Sequence, residues 1–282
     1  MAVTRRTVLG AGAALPLAKA FAGADPIAAL EAKSGGRLGI AVVDAANGRS
    51  LTHRAGERFA MCSTFKLLLC AAVLARIDAG KESEERTIAY GAGDLVTYSP
   101  VTEKHAGGMS VGTLLDAVLS VSDNTAANLL LKTIGGPAGW TAFAQSIGDR
   151  TSRLDRFEPE LNRVGPGDER DTTTPAAMLQ NLKAVMLGKV LTDVSRALLE
   201  DRMAASLTGA NRLRAGVPAS WRVADKTGSG PNARNDIALM RPPGRAPILA
   251  CVYTMDTKLD DAAGNALIAD VGGVIAGWAR DR

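Results

Sequence analysis

A serine and a lysine three residues apart, Ser63 and Lys66, open the stretch MCSTFKLLLCAAVLARIDAG over residues 61–80. Residues three apart share one face of a helix, so the hydroxyl and the amine leave the first turn in the same direction, as neighbours. Beyond them, Phe65, Leu67, Leu68, Leu69, Ala71, Val73 and Leu74 leave this helix almost no polar side, and it reads as buried all round. A buried ammonium is costly unless it is paired or neutralised. Taken alone, the pair is explained by a lysine that snorkels out of the first turn. The chemical alternative is a serine nucleophile whose proton is taken by an amine, its pKa lowered toward working pH by desolvation and by the positive helix end. That alternative requires companion groups.

Three further motifs supply them. Ser122-Asp123-Asn124 stands at the junction of two helical segments, where a helix cap would explain it in isolation. Lys226 begins Lys-Thr-Gly within DKTGSG on a predicted strand, where a surface lysine is the ordinary case. Glu158 sits in RFEPELN, residues 156–162, where a solvated loop glutamate is the usual explanation. Each is weak alone; the ordered set is not. GMSVG, residues 108–112, imitates a G-x-S-x-G nucleophile elbow, but the preceding TEKHAGG is no strand and Ser110 reads as the cap of a helix.

The elements that position these groups follow from periodicity. DPIAALEAKSGG reads as a short helix stopped by Gly35 and Gly36, and RLGIAVVDAANGRSLTHRAGERF as two strands joined by an Asn47-Gly48 turn. From Ser63 to about Glu200 the pattern is mostly helical, with TLLDAVLSV, AANLLLKTIGG and PAAMLQNLKAVMLG at three-to-four spacing, interrupted by an irregular piece over residues 151–173. After Trp221 strands return in WRVADKTGSG, NDIALMRP and APILACVYTMD, followed by a helix from about Asp260 to Arg280. The sheet is therefore built from both ends of the chain, with a helical lobe inserted between them. Residues 1–22 read as a leader, 23–60 plus 205–282 as an α/β unit, and 61–204 as an all-α unit containing the 151–173 loop.

Composition narrows the class. The 282 residues, 46% hydrophobic, suit one large globular unit or two intimately packed lobes. The net charge of +4 is concentrated at the front, in MAVTRRTVLGAGAALPLAKAFAGADP, where Arg5 and Arg6 precede an apolar run and small residues. This is an export signal of the twin-arginine type, cleaved near Ala20 or Ala22, and too short to span a bilayer. Removing Arg5, Arg6 and Lys19 takes three charges from +4 and leaves +1, so the charge gives nucleic-acid binding no support. Cys62, Cys70 and Cys251 are too few and too irregular for a disulfide framework, and at least one stays free. With only His53 and His105, and no H-E-x-x-H or C-x-x-C, no metal site is expected.

The four motifs, together with LVTYSPVTEKH, SDNTAANLLL, LDRFEPELN, DERDTT and DKTGSG, closely resemble a class A serine β-lactamase along essentially the whole chain after the leader. The resemblance implies an α+β fold: a five-stranded antiparallel sheet flanked by helices, with an inserted all-α lobe. It implies hydrolysis of penicillins and cephalosporins through a serine acyl-enzyme, conferring resistance, with no cofactor and no metal. Ser63 would attack the lactam carbonyl with help from Lys66, and Ser122 would protonate the departing nitrogen. Lys226 would hold Ser122 and the substrate carboxylate. The backbone amides of Ser63 and Ser229 would form the oxyanion hole. Glu158, held with Asn162, would position the deacylating water, and whether Lys66 or Glu158 begins acylation is left open. Tyr98, Asn124, Asn162, Thr227, Ser229 and Arg212 would contact substrate. Arg156 and Asp171 would close the neck of the loop, with a cis bond at Glu158-Pro159. The implied protein is a periplasmic or secreted monomer that binds small β-lactams and inhibitors, and neither nucleic acid nor, after cleavage, membrane.

Departures from the pattern are informative. Many relatives place an arginine where Asn235 stands; Arg234, one residue off, belongs to the opposite face of its strand. Arg212, nine residues before Trp221, occupies the alternative source of that guanidinium. Leu115 stands where a partner for Cys70 would be, and Gly230 where a partner for Cys62 would be, so neither family disulfide is expected and a carbapenemase assignment has no support. Three rivals use part of the same set. A cell-wall D,D-peptidase would lack the deacylating Glu158, a β-lactam sensor would belong to a larger membrane protein, and a nucleic-acid or structural module would show basic patches without the quartet.

Overall fold

The computed structural model describes residues 25–105 and 107–280. The leader lies outside these residues. Helix α1 (Pro26–Ser34) is capped by Asp25, whose side chain accepts from Ile27 N, and ends on Gly35 at φ 64°, where a glycine enters the left-handed region without penalty. Strands β1 (Arg37–Asp44) and β2 (Ser50–His53) follow. The predicted turn between them is a longer connection, in which Gly48 at φ 75° donates to Asp44 O. The short β3 (Phe59–Ala60) leads into a 3-10 turn over Cys62–Phe65 and then α2 (Lys66–Asp78). Ser63 thus precedes the α-helix instead of lying in its first turn.

The connection from α2 carries the short pair β4 (Thr87–Ile88) and β5 (Met109–Ser110). Next come α3 (Val111–Ser120), α4 (Asn124–Thr133) and α5 (Gly136–Ser146). Ser110 caps α3 by accepting from Thr113 N at 3.2 Å, so the G-x-S-x-G serine is a helix cap. Irregular residues 147–171 end at β6 (Thr172–Thr173), which pairs with β3. Helices α6 (Pro175–Leu187), α7 (Asp193–Ala204) and α8 (Leu213–Gly216) precede β7 (Arg222–Gly230), β8 (Ala233–Arg241), β9 (Ile248–Met255) and α9 (Asp261–Arg280).

The main sheet has five strands in the order β2-β1-β9-β8-β7, every pairing antiparallel. This is the α+β architecture expected from the sequence. Alternation sends Ile248, Ala250 and Val252 of β9 to one face, packed with Ile268, Val271 and Ile275 of α9. Leu249, Cys251 and Tyr253 face the other way, into the larger core shared with α2 to α7. Strand β7 is an edge strand, and its open side meets the helical segment.

Candidate active site

The turn bearing Ser63 is fixed from three sides. Trp140 Nε1 of α5 donates to Phe65 O at 3.0 Å, and Thr64 Oγ1 hydrogen bonds with Tyr253 OH of β9 at 3.0 Å. Asn235 Nδ2 of β8 donates to Ala60 O and Met61 O. Asn235 is therefore a buried strut, with no access to a ligand. Cys62, next to Ser63, sits at φ 44°, and burial pushes its thiol up to about 12, so it is inert at neutral pH.

Ser63 Oγ donates to Glu158 Oε1 at 3.2 Å, and Lys66 Nζ stands 3.2 Å from that same oxygen. Lys66 also donates to Ser122 O at 2.8 Å, Asn124 Oδ1 at 2.6 Å and Ser122 Oγ at 3.2 Å. Among the described residues no hydrogen bond joins Lys66 Nζ directly to Ser63 Oγ, as the three-residue spacing alone would suggest. The long side chain reaches past the serine to better acceptors on other elements, and Glu158 links the two. Burial holds the Lys66 amine below the ordinary lysine range, while Glu158 opposes that shift.

Ser122 lies between α3 and α4 at φ 63°, a strained backbone for a serine. Asp123 fixes this bend: one carboxylate oxygen accepts from Ala126 N, capping α4, and the other from Val101 N and Thr102 N. Ser122 Oγ consequently lies between two amines, Lys66 and Lys226, the latter donating at 3.1 Å. Lys226 also donates to Thr227 O at 2.9 Å. Burial, and next the neighbouring Lys66, hold the Lys226 amine down to about 7.

Glu158 is fully buried and gripped through its backbone. Asn128 of α4 accepts from Glu158 N at 3.0 Å and donates to Glu158 O at 2.9 Å. Asn162 Nδ2 donates to Glu158 Oε2 at 2.5 Å, leaving Asn162 Oδ1 buried without a hydrogen-bond partner. The neck of the loop is closed by Asp171, which accepts from Arg156 Nε at 2.5 Å and from the backbone of Asp155 and Arg156. The Glu158-Pro159 bond is cis.

The far wall is β7. Arg234 N and O both bond Thr254 Oγ1 on the β9 side. Arg234 faces Ser229 across the β7–β8 pair, so this is a non-hydrogen-bonded pair and the Ser229 N–H points to the open edge. Ser63, second in its turn, likewise has no helical carbonyl for its N–H. Two backbone donors thus border the same cleft. Arg212 donates to Ser229 Oγ at 2.7 Å, Gly228 O at 2.9 Å, Asn235 O at 2.6 Å and Asn265 Oδ1 at 2.8 Å. Thr227 Oγ1 bonds Thr208 Oγ1 at 2.7 Å.

The cleft measures about 530 Å³ and is lined by Ser63, Tyr98, Ser122, Asn124, Asn162, Arg212, Thr227 and Ser229, with Val121, Leu207, Thr208 and Asp261. Lys66, Glu158 and Lys226 lie beneath its floor, each fully or almost fully buried. A larger hollow of about 630 Å³ between α5 and residues 150–155 brings no nucleophile to a buried base. Sequence reasoning singled out neither Asn128, Asn265 nor Thr208, and it named Asp123 only within the Ser122-Asp123-Asn124 motif, whose ordinary reading as a helix cap Asp123 fulfils. Asn128 and Asp123 lie inside the quoted SDNTAANLLL, and a polar residue at a buried helical position was the available signal for Asn128.

A serine hydroxyl, two desolvated amines, a buried carboxylate and paired backbone donors define a serine acyl-transfer enzyme. The model of the β-lactamase enzyme family matches residues 23–278, and the chain belongs to that family, as a class A serine β-lactamase. It is 49% identical over 255 residues to the β-lactamase AST-1 of Nocardia asteroides, covering 89% of this chain and 82% of that one. To the β-lactamase FAR-1 of Nocardia farcinica it is 48% identical over 245 residues, covering 86% and 78%. Among solved structures, an ancestral class A β-lactamase superposes with a TM-score of 0.88 at 57% identity, covering 89% and 98%. The putative class A β-lactamase PenP of Rhodopseudomonas palustris gives 0.88 at 53%, covering 89% and 97%. The enzyme opens the lactam ring of penicillins and cephalosporins through a serine acyl-enzyme that a glutamate-activated water hydrolyses, and so confers resistance.

Proposed function

We propose the following division of labour among the residues of the cleft. Ser63 Oγ attacks the lactam carbonyl carbon, and its proton passes to the Glu158–Lys66 pair, whose shared contact Oε1 lies 3.2 Å away. Charge developing on the carbonyl oxygen is received by the N–H groups of Ser63 and Ser229; losing one such donor typically costs about 10²- to 10³-fold in rate. As the C–N bond breaks, Ser122 Oγ gives its proton to the nitrogen and is resupplied by Lys66 or Lys226, at 3.2 and 3.1 Å.

In the second half, Glu158 takes a proton from a water that attacks the ester carbonyl, and the ester C–O bond breaks as Ser63 regains its proton. Asn162 steadies the carboxylate through Nδ2 and offers its unpartnered Oδ1 to that water. Lys226, Thr227 and Arg212 hold the substrate carboxylate, Asn124 the acylamide, and Tyr98 flanks the mouth. The observation that carries this reading is Glu158 Oε1 standing 3.2 Å from both Ser63 Oγ and Lys66 Nζ, which separates a hydrolase from an acyl trap. With a chromogenic cephalosporin, the purified protein turns over and Ser63→Ala does not; undiminished breakdown by that variant would overturn the reading.

The protein is proposed to act as an exported monomer, released by cleavage after a twin-arginine leader within residues 1–22, and to bind small β-lactams and inhibitors without nucleic acid or membrane. Arg5, Arg6 and the apolar run after them support this. Replacing both arginines by lysine strands precursor in the cytoplasm if the leader is of that type; unchanged export would remove the twin-arginine assignment.

A further inference from the structure

Arg234 takes no part in the chemistry above, and Asp261, at the edge of the cleft, has its side-chain hydrogen bond with Arg234 and none with the groups assigned to catalysis; together they tie the end of β7 to α9. Arg234 leaves β8 on the face opposite Asn235, and its stem lies in a notch at Gly264. A Cβ added to that glycine would stand 2.8 Å from Arg234 Cγ, closer than real side chains come. The Arg234 side chain is only 11% exposed. Its guanidinium donates through Nη1 to Gly230 O and Ala233 O, both at 2.6 Å, and through Nη2 to the Asp261 carboxylate. Gly230 is the last residue of the strand that carries Ser229. On its other side the same residue abuts the catalytic turn and the loop. A Cβ at Gly230 would meet Cys62 Sγ at 2.9 Å and Asn162 O at 3.3 Å.

The position of Gly230 relative to a bound ligand follows from lactam chemistry, and this step rests on the site assignment proposed above. The carboxylate of a β-lactam lies on the nitrogen side of the carbonyl and the acyl substituent on the other. With the carboxylate at Thr227 and Arg212 and the carbonyl at Ser229, the acyl substituent extends past Ser229, between Gly230 and Asn162. We infer that the Arg234–Asp261 pair is a specificity-determining clamp that holds the end of β7 against Asn162 and so limits the bulk of the acyl side chain the enzyme accepts. Both are positioning residues, acting through Gly230.

The test compares kcat/KM for benzylpenicillin with that for a cephalosporin whose acyl chain is branched and bulky, in the wild type, Arg234→Ala and Asp261→Ala. Releasing the clamp raises the bulky-to-small ratio by about tenfold or more, the lower range of what pocket fit contributes, with the gain in KM for the bulky substrate. A merely structural role would lower both substrates together. Asp261→Ala alters an exposed carboxylate and leaves the Arg234 stem in its notch, so it decides the matter should Arg234→Ala fail to fold. An unchanged ratio, or a parallel fall, in an enzyme that still hydrolyses benzylpenicillin overturns the clamp. Failure of the wild type to hydrolyse benzylpenicillin would instead overturn the site assignment beneath it.

Discussion

Lys66 and Glu158 form an ion pair with no exposed side-chain surface on either member, Nζ standing 3.2 Å from Oε1. A lysine in an apolar helix is tolerated here because a carboxylate from a distant loop and the acceptors of the Ser122–Asn124 bend surround its amine. The pair couples the helix to the loop. Removing one member of a buried pair leaves an uncompensated charge, at a cost of about 3–5 kcal/mol. Lys66→Ala therefore loses about that much in urea unfolding at unchanged m, and the double variant Lys66→Met/Glu158→Gln recovers part of it. Equal stability of Lys66→Ala and the wild type would contradict the coupling.

Asn128 satisfies both main-chain groups of Glu158. Asn128→Ala strands a buried donor and acceptor, costing about 1–3 kcal/mol, and frees the carboxylate to move. Acyl-enzyme then accumulates in the steady state because deacylation, the step proposed for Glu158, slows more than acylation. Stopped-flow traces showing a burst followed by a slow phase would bear this out; a uniform slowing without a burst would not.

Lys226 is held down to about 7, first by burial and next by Lys66. Its cation is present below that pH and lost above it, so KM for a carboxylate-bearing penicillin rises as pH increases through about 7. Lys226→Arg, whose guanidinium stays charged, flattens the rise. Between about 7 and the ordinary 10.5 the unfolded chain binds the extra proton, so this group's contribution to stability increases with pH across that window. A pH-independent KM would contradict the assignment of Lys226 to the carboxylate.

Asp236 is fully buried, its Oδ2 accepting from Leu213 N and its Oδ1 lacking a partner. Burial, and next the nearby Asp225, push its carboxyl well above the ordinary 3.8. Its favourable contribution is complete only below the unfolded value and is lost as pH rises toward the folded one. Asp236→Asn, which keeps an acceptor for Leu213, therefore stabilises the fold by an amount that is small near pH 4 and grows toward neutrality. Urea midpoints at acid and neutral pH measure it, and a pH-independent difference would refute the buried-acid account.

The strands and most helices were legible because alternation and three-to-four spacing are local, and Asp25, Ser110 and Gly35 mark ends by chemistry within a few residues. The spacing sets the start of the helix at Ser63, one turn early, because a 3-10 turn and an α turn share a pattern over four residues. Which acceptors Lys66 chooses was beyond reach, since Ser122, Asn124 and Glu158 come from two other segments. The bend at Ser122, with φ 63°, carries no glycine to announce it. Asn128 reads only as a polar residue inside an apolar helix, which reveals no partner 30 positions away. Arg212 is singled out by the family resemblance, but its Asn265 contact depends on how α9 packs on the sheet.

The most direct measurement uses Glu158→Ala, incubated with a penicillin and followed by intact mass and peptide mapping. The variant acquires one adduct equal to the whole substrate mass on the peptide containing Ser63, and keeps it while the wild type does not. Rapid turnover by the variant, or an adduct on any other peptide, would contradict the claim that this serine is acylated and this glutamate frees it.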